Sequence, residues 1–171
     1  MYLQRRMEFQ KLAQYRGPSR GWQHDTIACL YPRIFVGAGC QFTQAISYSG
    51  NFTHVINCAF KDDGPEWFAQ KYPERYAVLG AVDALNVSIL NWYPLFEQVM
   101  LQFLRDPTCK NIYVHCQCGI NRSAYLAMAF VVRQFGFPLG EVARSLVIQR
   151  PCALSNPVFW TQVSSFVKPS A

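Results

Sequence analysis

The sequence predicts an α/β domain with a largely parallel central sheet. Two observations carry that prediction. Short apolar runs of strand character recur at 33–36, 54–59, 76–79 and 111–114, and longer runs of helical spacing lie between and after them. Such alternation is what βαβ units produce, and those units build parallel sheets. A third observation sets the domain count. The 171 residues carry no repeat, low-complexity segment or linker, so one folding unit with its own core is sufficient.

In chain order, residues 3–16 are expected to form a short helix with Leu3, Met7, Leu12 and Tyr15 as its apolar stripe. Gly17-Pro-Ser-Arg-Gly21 interrupts it. Arg33 to Val36 reads as a strand stopped by Gly37, and Gln41 to Ser47 as a helix closed by Gly50. His54 to Ala59 is a buried strand, Lys61 to Pro65 a loop, and Tyr76 to Leu79 another strand. A long helix is expected over 88–105 with Ser88 as N-cap. Pro94 lies well inside it and should kink it or move its start. Asn111 to Val114 is a short buried strand. Ser123 to Phe135 is an apolar helix, ended by Gly136 and reinforced by Pro138. Two more helices are expected at 139–149 and 156–167. The chain thus reads as a basic N-terminal helix and extension over 1–24, followed by the body that carries the chemistry over 25–171.

Composition narrows the class. Hydrophobic residues make up 51% and charged residues 15%, which suits a packed globule rather than a disordered chain. No apolar run approaches the ~20 residues that span a bilayer. The N-terminus lacks the apolar segment of a secretory signal, so a location inside the cell is expected, cytoplasmic or nuclear. Seven cysteines, at irregular spacing in a chain of this size, argue against a disulfide framework. The net charge of +6 favours anionic partners loosely. Without interleaved aromatic and basic residues, sequence-reading of nucleic acid is not indicated.

The informative stretch is Tyr113-Val-His-Cys-Gln-Cys-Gly-Ile-Asn-Arg-Ser123. A strand is expected to end at His115, a loop to run from Cys116 to Arg122 and a helix to begin at Ser123. A loop between a strand and a helix N-terminus can turn its N–H groups inward, adding the positive end of the dipole. That makes an anion site suited to phosphate. The same field favours a thiolate over a thiol. Arg122 can fork onto two phosphate oxygens, and Gly119 lets the backbone curl closely. Two plainer readings compete. Cys116-x-Cys118 could be half of a metal site, but no second pair with zinc spacing follows. Cys116 could also be a structural core residue.

His115-Cys116-x-x-Gly119-x-x-Arg122-Ser123 resembles the active-site motif of the cysteine-dependent phosphatases. The resemblance runs from about Pro32 to Phe166. Arg33-Ile-Phe-Val-Gly37, Thr53-His-Val-Ile-Asn57, and Arg150-Pro151 followed by Asn156 and Phe159 resemble segments of the compact dual-specificity type. The resemblance implies the cysteine-phosphatase fold, with a mostly parallel sheet of about five strands flanked by helices. It also implies a protein phosphatase acting on phosphotyrosine and phosphoserine or phosphothreonine, with a phosphoprotein as its partner and no metal or cofactor.

Residue by residue, the resemblance makes Cys116 the nucleophile. Backbone N–H groups across Gln117, Cys118, Gly119, Ile120, Asn121 and Arg122 would bind the phosphate oxygens. Ser123 would hydrogen-bond the sulfur, His115 would orient the loop from behind, and Asn156 would brace it. Expelling the leaving oxygen needs a proton donor. The carboxylates Asp62, Asp63, Glu66, Glu74 and Asp83 are candidates. The family pattern selects Asp83, which lies 33 residues before Cys116 and nine before Trp92. Ser88 stands where family members often carry a further aspartate. Cys58 is expected beside the loop as a redox partner for Cys116.

None of Gln117, Cys118, Ile120 and Asn121 is basic, which argues against an inositide substrate. Gly119-Ile-Asn-Arg-Ser123 shares its asparagine with RNA 5′-triphosphatases of the same superfamily, which leaves that activity as the enzymatic alternative. A phosphoprotein-binding pseudophosphatase is the non-catalytic one. Asn-Arg-Ser also occurs in the compact poxvirus-type enzyme, whose N-terminal helix is exchanged in a homodimer. The helix at 3–16 is expected to be able to do the same.

Overall fold

The computed structural model describes residues 1–44 and 51–168. Helix α1 spans Tyr2–Lys11 and is followed by a 3₁₀ turn at Leu12–Gln14. The sheet strands are β1 (Ala28–Tyr31), β2 (Ile34–Ala38), β3 (Phe52–Asn57), β4 (Tyr76–Val78) and β5 (Asn111–Cys116). The other helices are α2 (Glu66–Lys71), α3 (Tyr93–Arg105), α4 (Arg122–Phe135), α5 (Leu139–Gln149) and α6 (Pro157–Phe166).

The five strands lie in the order β1-β2-β5-β3-β4, and only the β1–β2 pair is antiparallel. β5 is therefore central, with parallel partners on both sides. Ala38 of β2 pairs with Cys116, and Asn57 of β3 pairs with His115. The crevice beyond the carboxyl ends of parallel strands is where ligands bind in such sheets. β5 delivers Cys116 there.

β5 is buried at every position but its first, and α4 buries ten of its residues. Among them Tyr125, Phe130 and Met128 are fully enclosed. Each large apolar side chain so enclosed contributes about 1.5–3 kcal/mol. The strand and helix that hold the 116–122 loop are thus deeply anchored. Gly136, at φ +73, closes α4 in the left-handed conformation that a residue with a Cβ adopts at a cost.

Several expectations needed correction. Strand β1 was not legible, and its hairpin to β2 puts Arg33, expected in a strand, in the turn at φ +77. Arg33 donates to the carbonyls of Leu104, Cys109 and Lys110, which holds it there. Helix α2 is also an addition. The long helix expected from Ser88 begins at Tyr93. Residues Ile89–Trp92 form a 3₁₀ turn, and Ser88 makes no side-chain cap. Pro94 falls in the first turn of α3, where its missing N–H costs nothing. The helix expected over 41–47 lies partly outside the described residues. Phe42, Thr43 and Gln44 are helical.

The stripe expected on this N-terminal helix holds at Leu12, which is buried, and fails at Leu3, Met7 and Tyr15. Leu3 and Met7 are exposed, and Arg5, Glu8, Phe9 and Leu12 form the inward side. That side rests on α6 of the same chain. Phe9 meets the Trp160 ring, Trp160 Nε1 donates to the Arg5 carbonyl at 2.9 Å, and Arg5 bonds Ser165. Among the described residues, no helix is long and apolar enough to cross a membrane.

Candidate active site

The loop after β5 is shaped by what holds its carbonyls. Gly39 N–H donates to the Gln117 carbonyl at 3.3 Å, and Leu154 N–H to that of Ile120 at 2.8 Å. Arg150 takes the two between them, Cys118 at 2.7 Å and Gly119 at 2.8 Å. In a trans peptide the C=O and the following N–H point in opposite directions. Four carbonyls held outward therefore turn the N–H groups of 118–121 toward the centre of the loop. Gly119 N–H shows this directly, since it donates to Cys116 Sγ at 3.2 Å. Such a nest of amides at a helix start attracts anions.

Cys116 is 2% exposed, at the floor of this nest. Its sulfur lies 3.3 Å from Ser123 Oγ, which is fully buried in the first turn of α4. Arg122, the first residue of α4, sends Nη1 to the Ala81 carbonyl at 3.0 Å. Its Nε is buried and has no hydrogen-bond partner among the described residues. A buried guanidinium N–H without a partner is unfavourable unless an anion completes it.

Behind the loop, His115 is fully buried. Desolvation pushes its imidazole down to about 4, so the ring is neutral near pH 7. Nδ1 then donates to the Cys116 carbonyl at 3.0 Å. Cys58 N–H donates to the His115 carbonyl at 2.7 Å. Cys58 is fully buried, and burial first, then the neighbouring Cys116, pushes its thiol well above the ordinary range.

At the rim, Asp83 is exposed, yet both carboxylate oxygens are held. Asn121 Nδ2 donates to Oδ2 at 3.0 Å, and Asn156 Nδ2 to Oδ1 at 3.1 Å. Asn156 also caps α6, accepting from Val158 and Phe159 N–H. The other four candidate carboxylates lie on other elements, Asp63 near enough to His115 and Cys118 to act on them electrostatically. Asp62 and Asp63 belong to the 3₁₀ turn after β3, Glu66 to α2 and Glu74 to the turn before β4.

Residues 34–168 match the family model described as the dual specificity phosphatase catalytic domain. The chain belongs to the dual specificity phosphatase family. Among curated relatives, this phosphatase domain is 24% identical over 147 residues to human protein phosphatase Slingshot homolog 3, covering 84% of this chain and 21% of that protein. It is 25% identical over 122 residues to dual specificity protein phosphatase 1B of Arabidopsis thaliana, covering 70% and 68%. The chain spans about a fifth of the length of the first curated relatives it matches. Among solved structures, OH1 from the Orf virus superposes with a TM-score of 0.71 at 15% identity, covering 96% of this chain and 98% of that one. Human DUSP28 gives 0.67 at 19%, covering 88% and 95%. At these identities the structural likeness concerns the fold.

The phosphatase domain brings together the expected residues. Cys116, Arg122 and Ser123 converge on one loop, Cys58 and His115 lie behind it, and Asp83 and Asn156 meet at its rim. Small boundary shifts apply, since β5 includes Cys116 and α4 begins at Arg122 rather than Ser123. Asn156 braces the loop through its backbone N–H, which donates to Asn121 Oδ1 at 2.9 Å, while its side chain goes to Asp83.

Two contributors were not singled out from the sequence. Arg150 appeared only as part of the family resemblance, because an arginine ending an amphipathic helix carries no sign that it will be buried. Gly37 packs so closely on the loop that a Cβ at Gly119 would lie 2.4 Å from its carbonyl.

Proposed function

We propose that this domain hydrolyses phosphotyrosine and phosphoserine or phosphothreonine in proteins through a phosphocysteine intermediate. One observation carries the reading. The Cys116 sulfur accepts from Gly119 N–H within the loop, and Arg122, at the start of the helix that follows, keeps a buried Nε with no partner among the described residues. A tetrahedral oxyanion satisfies both at once.

In the first step Cys116 thiolate attacks phosphorus. An S–P bond forms as the bond to the leaving oxygen breaks, and Asp83 supplies that oxygen with a proton. The loop amides and Arg122 offset charge on the equatorial oxygens. In the second step Asp83 takes a proton from water, the water oxygen bonds to phosphorus and the S–P bond breaks. The Ser123 hydroxyl donates to the departing sulfur, which suits its 3.3 Å separation. His115 acts on the loop rather than on the proton, in keeping with its buried neutral ring.

The test is turnover of phosphotyrosine peptides, phosphothreonine peptides and triphosphate-ended RNA, with Cys116→Ser as control. Phosphopeptide hydrolysis that Cys116→Ser abolishes supports the reading. Preference for the RNA would replace it with an RNA 5′-triphosphatase. Tight phosphopeptide binding without turnover would make the domain a phosphoprotein-binding module. Asp83→Ala should slow poor leaving groups by about 10²–10⁴ and good ones far less.

A further inference from the structure

We infer that Asn121 is a positioning residue for the acid: its carboxamide, held rigidly inside the phosphate loop, fixes the carboxylate of Asp83. This rests on the reading of Asp83 given above and adds the residue that sets it.

The hydrogen bonds define the orientation of the amide. Asn121 Oδ1 accepts from Ser155 N–H and Asn156 N–H, each at 2.9 Å, and from Ser155 Oγ at 3.3 Å. Rotating the amide by half a turn would place its NH₂ against two backbone donors, so Nδ2 must face the other way. There it meets Asp83 Oδ2 at 3.0 Å and Ser155 Oγ at 3.1 Å. Asn156 is constrained by the same logic. Its Oδ1 is committed to the α6 cap, which leaves Nδ2 for Asp83 Oδ1. Each amide thus spends its oxygen on backbone N–H groups and turns its donor to one carboxylate oxygen.

The consequence follows from exposure. Asp83 is exposed and Asn121 is 7% exposed. An exposed aspartate on a loop samples several rotamers, and a small misplacement of a proton donor costs rate. Two rigid donors, one from the phosphate loop and one from the start of α6, remove that freedom. The acid is then registered to the loop that binds the phosphate. Leu, Gly or Ser at position 121 could not make both sets of bonds.

The experiment uses the full chain and a series of aryl phosphates of rising phenol pKa. Asn121→Asp is the informative variant. One carboxylate oxygen still accepts from Ser155 and Asn156 N–H, so the fold is kept, but the other opposes Asp83 with charge instead of a donor. Asn121→Ala accompanies it, and melting curves report folding. For Asn121→Ala kcat on the poorest leaving groups should fall about 10–100-fold with KM unchanged, while the best leaving groups change less than about threefold; Asn121→Asp should show the same dependence of kcat on leaving group, with KM raised by its charge in the loop. Combining either with Asp83→Ala should add no further loss on poor leaving groups. A uniform loss across the series, or a loss that multiplies with that of Asp83→Ala, overturns the inference. If Asp83→Ala alone shows no leaving-group dependence, the acid reading itself fails, and that result is read from the single variant before Asn121 is considered.

Discussion

Arg150 Nε donates to the Gly119 carbonyl at 2.8 Å from a position with no solvent exposure. The same guanidinium reaches the carbonyls of Cys118, Trp22, Asp25 and Thr26. A buried cation is costly unless every donor is used, and here five carbonyls receive it. One side chain therefore closes the 116–122 loop from outside and ties it to the segment before β1.

Arg150→Met should lower stability by about 3–5 kcal/mol, because buried carbonyls lose a charged donor that methionine cannot replace. Arg150→Lys should recover only part of this, since an ammonium cannot span the same fork. Urea unfolding midpoints measure both. A midpoint unchanged in Arg150→Met would mean that the loop carbonyls find other donors.

Gly119 adopts φ +64, and a Cβ there would lie 2.4 Å from the carbonyl carbon and oxygen of Gly37. Both the dihedral and the contact exclude larger residues. Gly119→Ala should force the loop off β2, costing about 2 kcal/mol or more and disrupting the Gly119 N–H contact to sulfur. The expected readout is a loss of phosphate-analogue binding in titration calorimetry. Undiminished binding would show that the nest tolerates displacement.

His115 supplies a pH dependence. Its folded value of about 4 lies below the ordinary 6.5, so the unfolded chain binds the extra proton more readily. Stability contributed by the neutral ring is complete above about pH 6.5 and is lost as pH falls toward 4. The full span is on the order of 3 kcal/mol. Unfolding midpoints at pH 7.5 and 5 should differ in that direction, and His115→Gln should flatten the slope. An equally steep slope in the variant would assign the dependence to another group.

We propose that Cys58, whose N–H donates to the His115 carbonyl at 2.7 Å, protects Cys116 from irreversible oxidation. Peroxide converts Cys116 thiolate to a sulfenic acid, giving up one oxygen and releasing hydroxide. The Cys58 thiol then attacks that sulfur and water leaves as the disulfide forms. Peptide mapping after mild peroxide should recover a 58–116 disulfide, and Cys58→Ala should instead accumulate irreversible oxidation at 116. A free Cys58 thiol in oxidised protein would remove this role.

Much of this arrangement was written locally. The β5 strand, the α4 helix and the cysteine, glycine and arginine of the loop region they frame lie within 25 residues, where apolar periodicity and turn chemistry act directly. Asp83 required the family spacing, and the structure then supplied its neighbours. Strand β1 and helix α2 escaped notice because they are short and owe their existence to packing rather than to propensity. The apolar side of α1 was misread at Leu3 and Met7 because α6, not the helix itself, chose which side to cover. The sequence by itself determined the α/β alternation and the loop that carries the thiol, since these depend on neighbours along the chain. Only the tertiary structure decided that Arg150 would hold the loop carbonyls and that Asn121 and Asn156 would grip Asp83. Those bonds join residues more than thirty positions apart, and no local pattern encodes where a folded chain brings them together.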